Sequence, residues 1–234
     1  MTGKPWLGHY DKHVPHTLAP YPSVTLVDII AGTAKDFPEK TAFFFKGAEL
    51  NYALLERHSN AFAAALLARG LKKGDRVALM IPNSPQMIIA EFAVWKAGGI
   101  VVPLNPLYSK HELTYVLHEC SASIAVVLTP FYRKLKEVQP GTSLRMVVAA
   151  TIKDYLPLLN RLCFTLFREK KGGHGVSLES GDLMFARMVR DHEGEERKCA
   201  APQPEDPALF LFSGGTGGLP KWGQFRKVCK RSFS

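Results

Sequence analysis

Between Gly70 and Ala150 one figure repeats: a short apolar run, a glycine or proline break, then a longer stretch with helical periodicity. Arg76-Val-Ala-Leu-Met-Ile81 lies between Gly74-Asp75 and Pro82-Asn83, and a helix is predicted over 86–97, closed by Gly98-Gly99. Ile100-Val-Val102 stops at Pro103. A helix over 110–119, a strand over 124–128, a short helix over 131–138 and a strand over 146–150 follow. Strands alternating with helices at this spacing build βαβ units and a mostly parallel sheet. Their nearly unbroken apolar character fits a sheet covered on both faces. The predicted fold class is α/β.

Residues 1–23, rich in Pro, His and Tyr, read as an extended N-terminal arm. Apolar residues at 26, 29, 30 and 34 predict a helix over 24–37, ended by Pro38. Residues 41–52 read as strand, turn and returning strand about Lys46-Gly47. Leu54, His58, Phe62, Ala65, Leu66 and Arg69 share one face of a helix over 54–69 that Gly70 stops. His58 on that face reads as a packed histidine rather than a ligand. Further on, a helix is predicted over 180–190, a polar linker over 191–206 and a buried strand over 207–212.

The segment 155–171 stands apart. Tyr155 to Phe167 is strongly apolar and runs into Arg168-Glu-Lys-Lys171, yet is too short to span a bilayer. It reads either as a buried helix with a basic exposed end, or as an interfacial segment making peripheral membrane contact through 155–171.

Much of the net charge of +9 is spread singly along helices as a solvated surface, and two places concentrate it, 168–171 and Arg226-Lys227 with Lys230-Arg231. No aromatic-interleaved basic stripe accompanies either cluster, so nucleic acid is not an expected partner. The first residues lack the apolar core of a secretory signal. Cys120, Cys163, Cys199 and Cys229 form no C-x-x-C pair, which fits reduced thiols. The expected setting is cytoplasmic, with a peripheral position at the inner membrane face as the second reading. His9, His13 and His16 sit on an extended arm without fixed geometry, and His111-Glu112 meets Tyr115 where H-E-x-x-H needs histidine. No metal site is expected.

The chemistry-bearing element is Phe212-Ser-Gly-Gly-Thr-Gly-Gly-Leu-Pro-Lys221, fed directly by the strand over 207–212. Its glycines let the backbone turn with N–H groups exposed, a concave donor set suited to phosphate oxygens. Ser213 and Thr216 add hydroxyls and Lys221 a mobile cation. A P-loop needs Gly-Lys-Ser/Thr where Pro220-Lys221-Trp222 stands, and G-x-G-x-x-G from Gly215 meets Pro220. Neither pattern fits. A plain glycine hinge remains the alternative.

The loop resembles the signature of the adenylate-forming, AMP-binding superfamily of acyl-CoA synthetases. Residues 74–83 and 96–106 resemble further blocks of that family. Lys4-Pro5-Trp6-Leu7, Val14-Pro15 and Asn105-Pro106-Leu107-Tyr108 most resemble bacterial long-chain fatty-acid:CoA ligases.

The resemblance implies an ATP- and Mg2+-dependent enzyme. A fatty-acid carboxylate attacks the α-phosphate to give acyl-adenylate and pyrophosphate, and coenzyme A then displaces AMP. It also implies that Ser213, Gly214, Gly215, Thr216, Gly217, Gly218 and Lys221 hold the phosphates, with the chain as a partial N-terminal AMP-binding domain over 24–221. No catalytic residue is assigned within the chain.

Two positions depart from the pattern. Gly217 stands where the family carries Thr or Ser, and Trp222 replaces the glycine after the lysine. Residues 222–234 form a basic tail unlike the family continuation. The expectation is a frameshifted or prematurely ended product that is inactive as an isolated chain. Alternatives are a non-catalytic remnant that binds a partner or membrane, or a fragment of a medium-chain or aryl acid:CoA ligase.

Overall fold

The computed structural model describes residues 5–17, 24–167, 172–195, 202–215 and 218–226. The chain forms a three-layer α/β/α sandwich around a seven-stranded sheet, with a small separate hairpin. The hairpin pairs β1 (Thr41–Phe45) with β2 (Ala48–Asn51) in antiparallel fashion about Lys46-Gly47, both at positive φ.

The large sheet contains β3 (Arg76–Met80), β4 (Ile100–Pro103), β5 (Ile124–Leu128), β6 (Met146–Ala150), β7 (Leu183–Met184), β8 (Pro207–Gly215) and β9 (Gly218–Arg226). Their order is β7-β6-β5-β3-β4-β8-β9, and every neighbouring pair is parallel except β8–β9.

The strands read as continuous apolar runs because both sheet faces are covered. Val77, Leu79, Val101, Ile124, Val126 and Val148 point into one core. That core is built with α1 (Leu26–Asp36), α2 (Tyr52–Ala68), α3 (Pro85–Lys96) and α7 (Phe185–Asp191). Ala78, Met80, Val102, Ala125, Val127 and Val147 point the other way, against α4 (Lys110–Cys120) and α5 (Tyr132–Val138). The period-two alternation of side chains divides each strand between the two cores.

Helix starts follow local chemistry. Thr25 and Asp28 form a capping box on α1, as do Ser109 and Glu112 on α4. Glu112 of the His111-Glu112 pair is thus engaged by Ser109. Ser84 caps α3 ahead of Pro85, and Gly98 at φ +80 turns the chain from α3 into β4. His58 packs as expected: its Nδ1 lies 2.8 Å from the Tyr155 hydroxyl.

Four local expectations need correction. Within the arm read as extended, Pro5–His9 forms a 3-10 helix, continued by the Tyr10 N–H donating to the Leu7 carbonyl at 3.3 Å. The segment 183–184 is a strand rather than the start of a helix over 180–190, because it pairs with β6. The strand over 207–212 extends to Gly215, since its partner continues the ladder. The apolar stretch after Tyr155 is not a buried helix. It forms α6 (Leu158–Phe167), on which Leu158, Leu159, Leu162 and Leu166 are 84%, 72%, 57% and 67% exposed. Residues 168–171 lie outside the described residues. Cys120 and Cys163 are both free thiols, the first buried and the second exposed. No helix among the described residues is long and apolar enough to cross a membrane.

Candidate functional site

The glycine-rich motif forms the closed end of the β8–β9 hairpin. β8 lies parallel to β4 through Val101 and Leu209, so its C-terminal end projects from the edge where the parallel strands finish. Ligand crevices in open α/β sheets form along that edge.

The base of β8 is pinned. The Trp95 indole Nε1 donates to the Ala208 carbonyl at 2.8 Å, and Ala208 and Phe212 are buried in opposite cores. Tyr108, in the loop after β4, packs against the same core as Phe212. Burial, reinforced by Glu112, raises its hydroxyl pKa and keeps it protonated.

The ladder fixes the order of the predicted residues. Phe212 pairs with Trp222, Ser213 with Lys221, and Gly215 with Gly218. Between the last two rungs the register shifts, so Leu219-Pro220 opposes the single residue Gly214. That is a β-bulge on the sheet's edge strand. Proline, lacking an N–H for the ladder, is tolerated at such a bulge on an edge.

The structure therefore brings Ser213, Gly214, Gly215, Gly218 and Lys221 together at one hairpin end. Thr216 and Gly217 lie outside the described residues. β9 crosses positions 221 and 222 without a break.

Sequence reasoning passed over two positioning residues. Trp95 anchors the hairpin base, and its signal was a lone indole in a strongly apolar helix, which when buried needs a partner for its N–H. Gln86 is fully buried in the first turn of α3 and donates to the Thr151 carbonyl at 2.7 Å, tying α3 to the end of β6. A glutamine in an apolar stretch was the available signal.

Among the described residues, no group of three His, Cys, Asp or Glu side chains could hold a metal ion. The donor set at the hairpin end suits an anion instead: glycine backbone, a serine position and a lysine position facing each other across one rung.

A long-chain-fatty-acid–CoA ligase of Bacillus subtilis is 36% identical over 219 residues, covering 93% of this chain and 39% of that protein. The Yersinia pestis protein of the same name is 38% identical over 221 residues, with the same two coverages. The chain thus spans about two-fifths of the length of these relatives. Among solved structures, an anthranilate CoA ligase in complex with anthranoyl-AMP superposes with a TM-score of 0.71 at 22% identity, over 88% of this chain and 35% of that one. A long-chain-fatty-acid-CoA ligase from Archaeoglobus fulgidus gives 0.67 at 25% identity, over 88% and 37%. With residues 30–222 matching the sequence profile of the AMP-binding enzyme, the chain belongs to that family.

Proposed function

We propose that this chain supplies the phosphate-gripping N-terminal part of an ATP-dependent, AMP-forming ligase that joins long-chain fatty acids to coenzyme A. The observation that carries the reading is the hairpin end, where the register sets Ser213 opposite Lys221 beside three glycines. In the proposal Ser213, Gly214, Gly215, Thr216, Gly217, Gly218 and Lys221 hold the β- and γ-phosphates of ATP. Backbone N–H groups and a lysine ammonium placed there would stabilise the negative charge of departing pyrophosphate.

Magnesium belongs to the proposal as a companion of the triphosphate, not as an ion held by a carboxylate cluster of the described residues. Coenzyme A and a fatty acid enter because the relatives covering 93% of the chain carry those words in their names. The division into an arm over 1–23, an AMP-binding body over 24–221 and a basic tail over 222–234 is part of the same reading, as is a cytoplasmic setting. So is the lack of turnover by the 234 residues alone, supported by the 39% coverage of the relatives.

Titration calorimetry with ATP tests the site. The chain is expected to bind ATP, and Lys221→Ala to weaken binding by about tenfold or more, as loss of a charge-assisted hydrogen bond would. Equal affinity in the variant sinks the loop assignment. Palmitate-dependent ATP–pyrophosphate exchange by the chain alone would overturn the expected inactivity.

A further inference from the structure

On a surface helix of a water-soluble protein the apolar stripe faces the core. In α6 the stripe faces out. Leu158, Leu159, Leu162 and Leu166 recur at the spacing of one helix face, within about 100° of arc at 3.6 residues per turn. All four are more than half exposed.

The opposite face is the one that touches the protein. Asn160 donates from Nδ2 to the Lys46 carbonyl at 3.1 Å, which moors the helix to the β1–β2 turn. Phe164, half-buried, meets the His174 ring edge-on with centroids 4.8 Å apart, and His174 in turn pairs with Thr129. The helix is therefore held along its polar and aromatic back, with its leucines presented outward.

We propose that this leucine face of α6 docks on the surface of an anionic lipid bilayer, the helix lying in the interfacial plane. Three observations select a lipid surface over a second copy of the chain. Arg161, exposed at the edge of the stripe, and Lys46, exposed at the mooring turn with its ammonium 5.9 Å from the Phe45 ring centroid, form no ion pair among the described residues and can meet anionic headgroups. A second copy would bring a net charge of +9 against +9, whereas an anionic surface attracts it. One face of a ten-residue helix also supplies far less than the ~800 Å² that each partner contributes to a stable protein interface. The aromatic Phe44, 72% exposed two residues before Lys46, adds apolar surface on the hairpin that α6 abuts. The proposal rests on α6 and its mooring alone, and is independent of the ligase reading.

Co-sedimentation of the full 234-residue chain with vesicles of phosphatidylcholine mixed with phosphatidylglycerol tests it, with pure phosphatidylcholine vesicles alongside. The chain is expected to pellet with the mixed vesicles. The triple variant Leu159→Gln, Leu162→Gln, Leu166→Gln is expected to lose at least about tenfold in partitioning. Arg161→Gln and Lys46→Gln are each expected to lower partitioning into the mixed vesicles about fivefold, without changing the pure phosphatidylcholine result. Leu107→Gln, which removes an equally exposed leucine elsewhere, is expected to leave partitioning unchanged. All the substituted side chains are exposed, so unchanged circular dichroism is expected throughout. Wild-type chain that stays in the supernatant, or a triple variant that pellets like wild type, overturns the proposal. Concentration-dependent dimerisation on gel filtration that the triple variant abolishes overturns it in favour of a second copy.

Discussion

Helices α3 and α6 are both strongly apolar in sequence, and the fold treats them in opposite ways. In α3, Ile89, Ala90, Ala93, Val94 and Trp95 are buried together with Gln86 and Lys96. In α6 no described side chain is fully buried. Both lie in connections between neighbouring parallel strands, so the difference lies in what each helix packs against. α3 is the crossover between neighbouring parallel strands β3 and β4, so it must lie across the sheet. α6 lies in the connection between the parallel neighbours β6 and β7, entered through the turn Ile152–Tyr155, but it is moored on the β1–β2 turn and joins neither core of the sheet. Polar groups follow the same division: Gln86, Trp95 and Lys96 each have an internal partner, whereas α6 is moored by Asn160 and Phe164. Apolar content sets how much a helix could bury, and the surface it docks on decides whether it does.

The sharpest way to break that comparison is a pair of truncations. Ile89, fully buried in α3, should cost about 2–5 kcal/mol when replaced by alanine, as transfer and cavity terms add. Leu162→Ala in α6 should change stability by less than about 0.5 kcal/mol. Urea unfolding of both variants measures it. A comparable loss at Leu162 would mean that the stripe is packed in solution and the contrast is false.

The same contrast marks what the sequence carried. The strands Arg76–Met80, Ile124–Leu128 and Met146–Ala150 were legible almost to the residue, because two covered faces leave an unbroken apolar run ended by turn residues. The hairpin end was legible as chemistry, through Ser213, the glycines and Lys221. It was not legible as geometry, since the return strand Gly218–Arg226 is rich in Gly, Pro and Lys and lacks a strand pattern. β7 was missed because two residues joined to a helix carry no period of their own. The exposure of α6 was left open between two readings. An amphipathic stripe records that one face differs from the other, and only the mooring through Asn160 and Phe164 says which face is inside.

A second test asks how deep the burial of α3 runs. Lys96 is fully buried at the end of the helix, where its ammonium donates to Glu56 at 2.6 Å, Ser59 at 2.8 Å and Asn60 at 2.9 Å, all on α2. Lys96→Met keeps the aliphatic stem and removes the charge. Breaking a fully buried pair costs about 3–5 kcal/mol, but the Glu56 side chain is 24% exposed and can regain water, so about 1–3 kcal/mol is expected here. The double variant Glu56→Gln, Lys96→Met should recover part of the loss. An unchanged unfolding midpoint in Lys96→Met would show that the ammonium adds nothing to the α2–α3 contact.

The smallest effect concerns the tie between the two regions. His58 on α2 meets the Tyr155 hydroxyl in the turn that leads into α6. Burial, helped by neighbouring Arg57 and opposed by Glu193, lowers the His58 pKa below its ordinary value near 6.5. Burial, with Asp154 and Glu193 adding to it, raises that of Tyr155. The hydroxyl therefore keeps its proton and donates to a neutral imidazole Nδ1. With the folded pKa depressed, the unfolded chain binds more protons as pH falls, so this contribution to stability is complete above about 6.5 and drains as pH drops toward the lowered folded value. Wild type should show a shallow acid-side decline in unfolding midpoint that His58→Gln lacks. Amide exchange should quicken over 152–167 in the same window while 85–96 stays protected. Equal quickening in both stretches would mean that the histidine guards the whole fold rather than the mooring of α6.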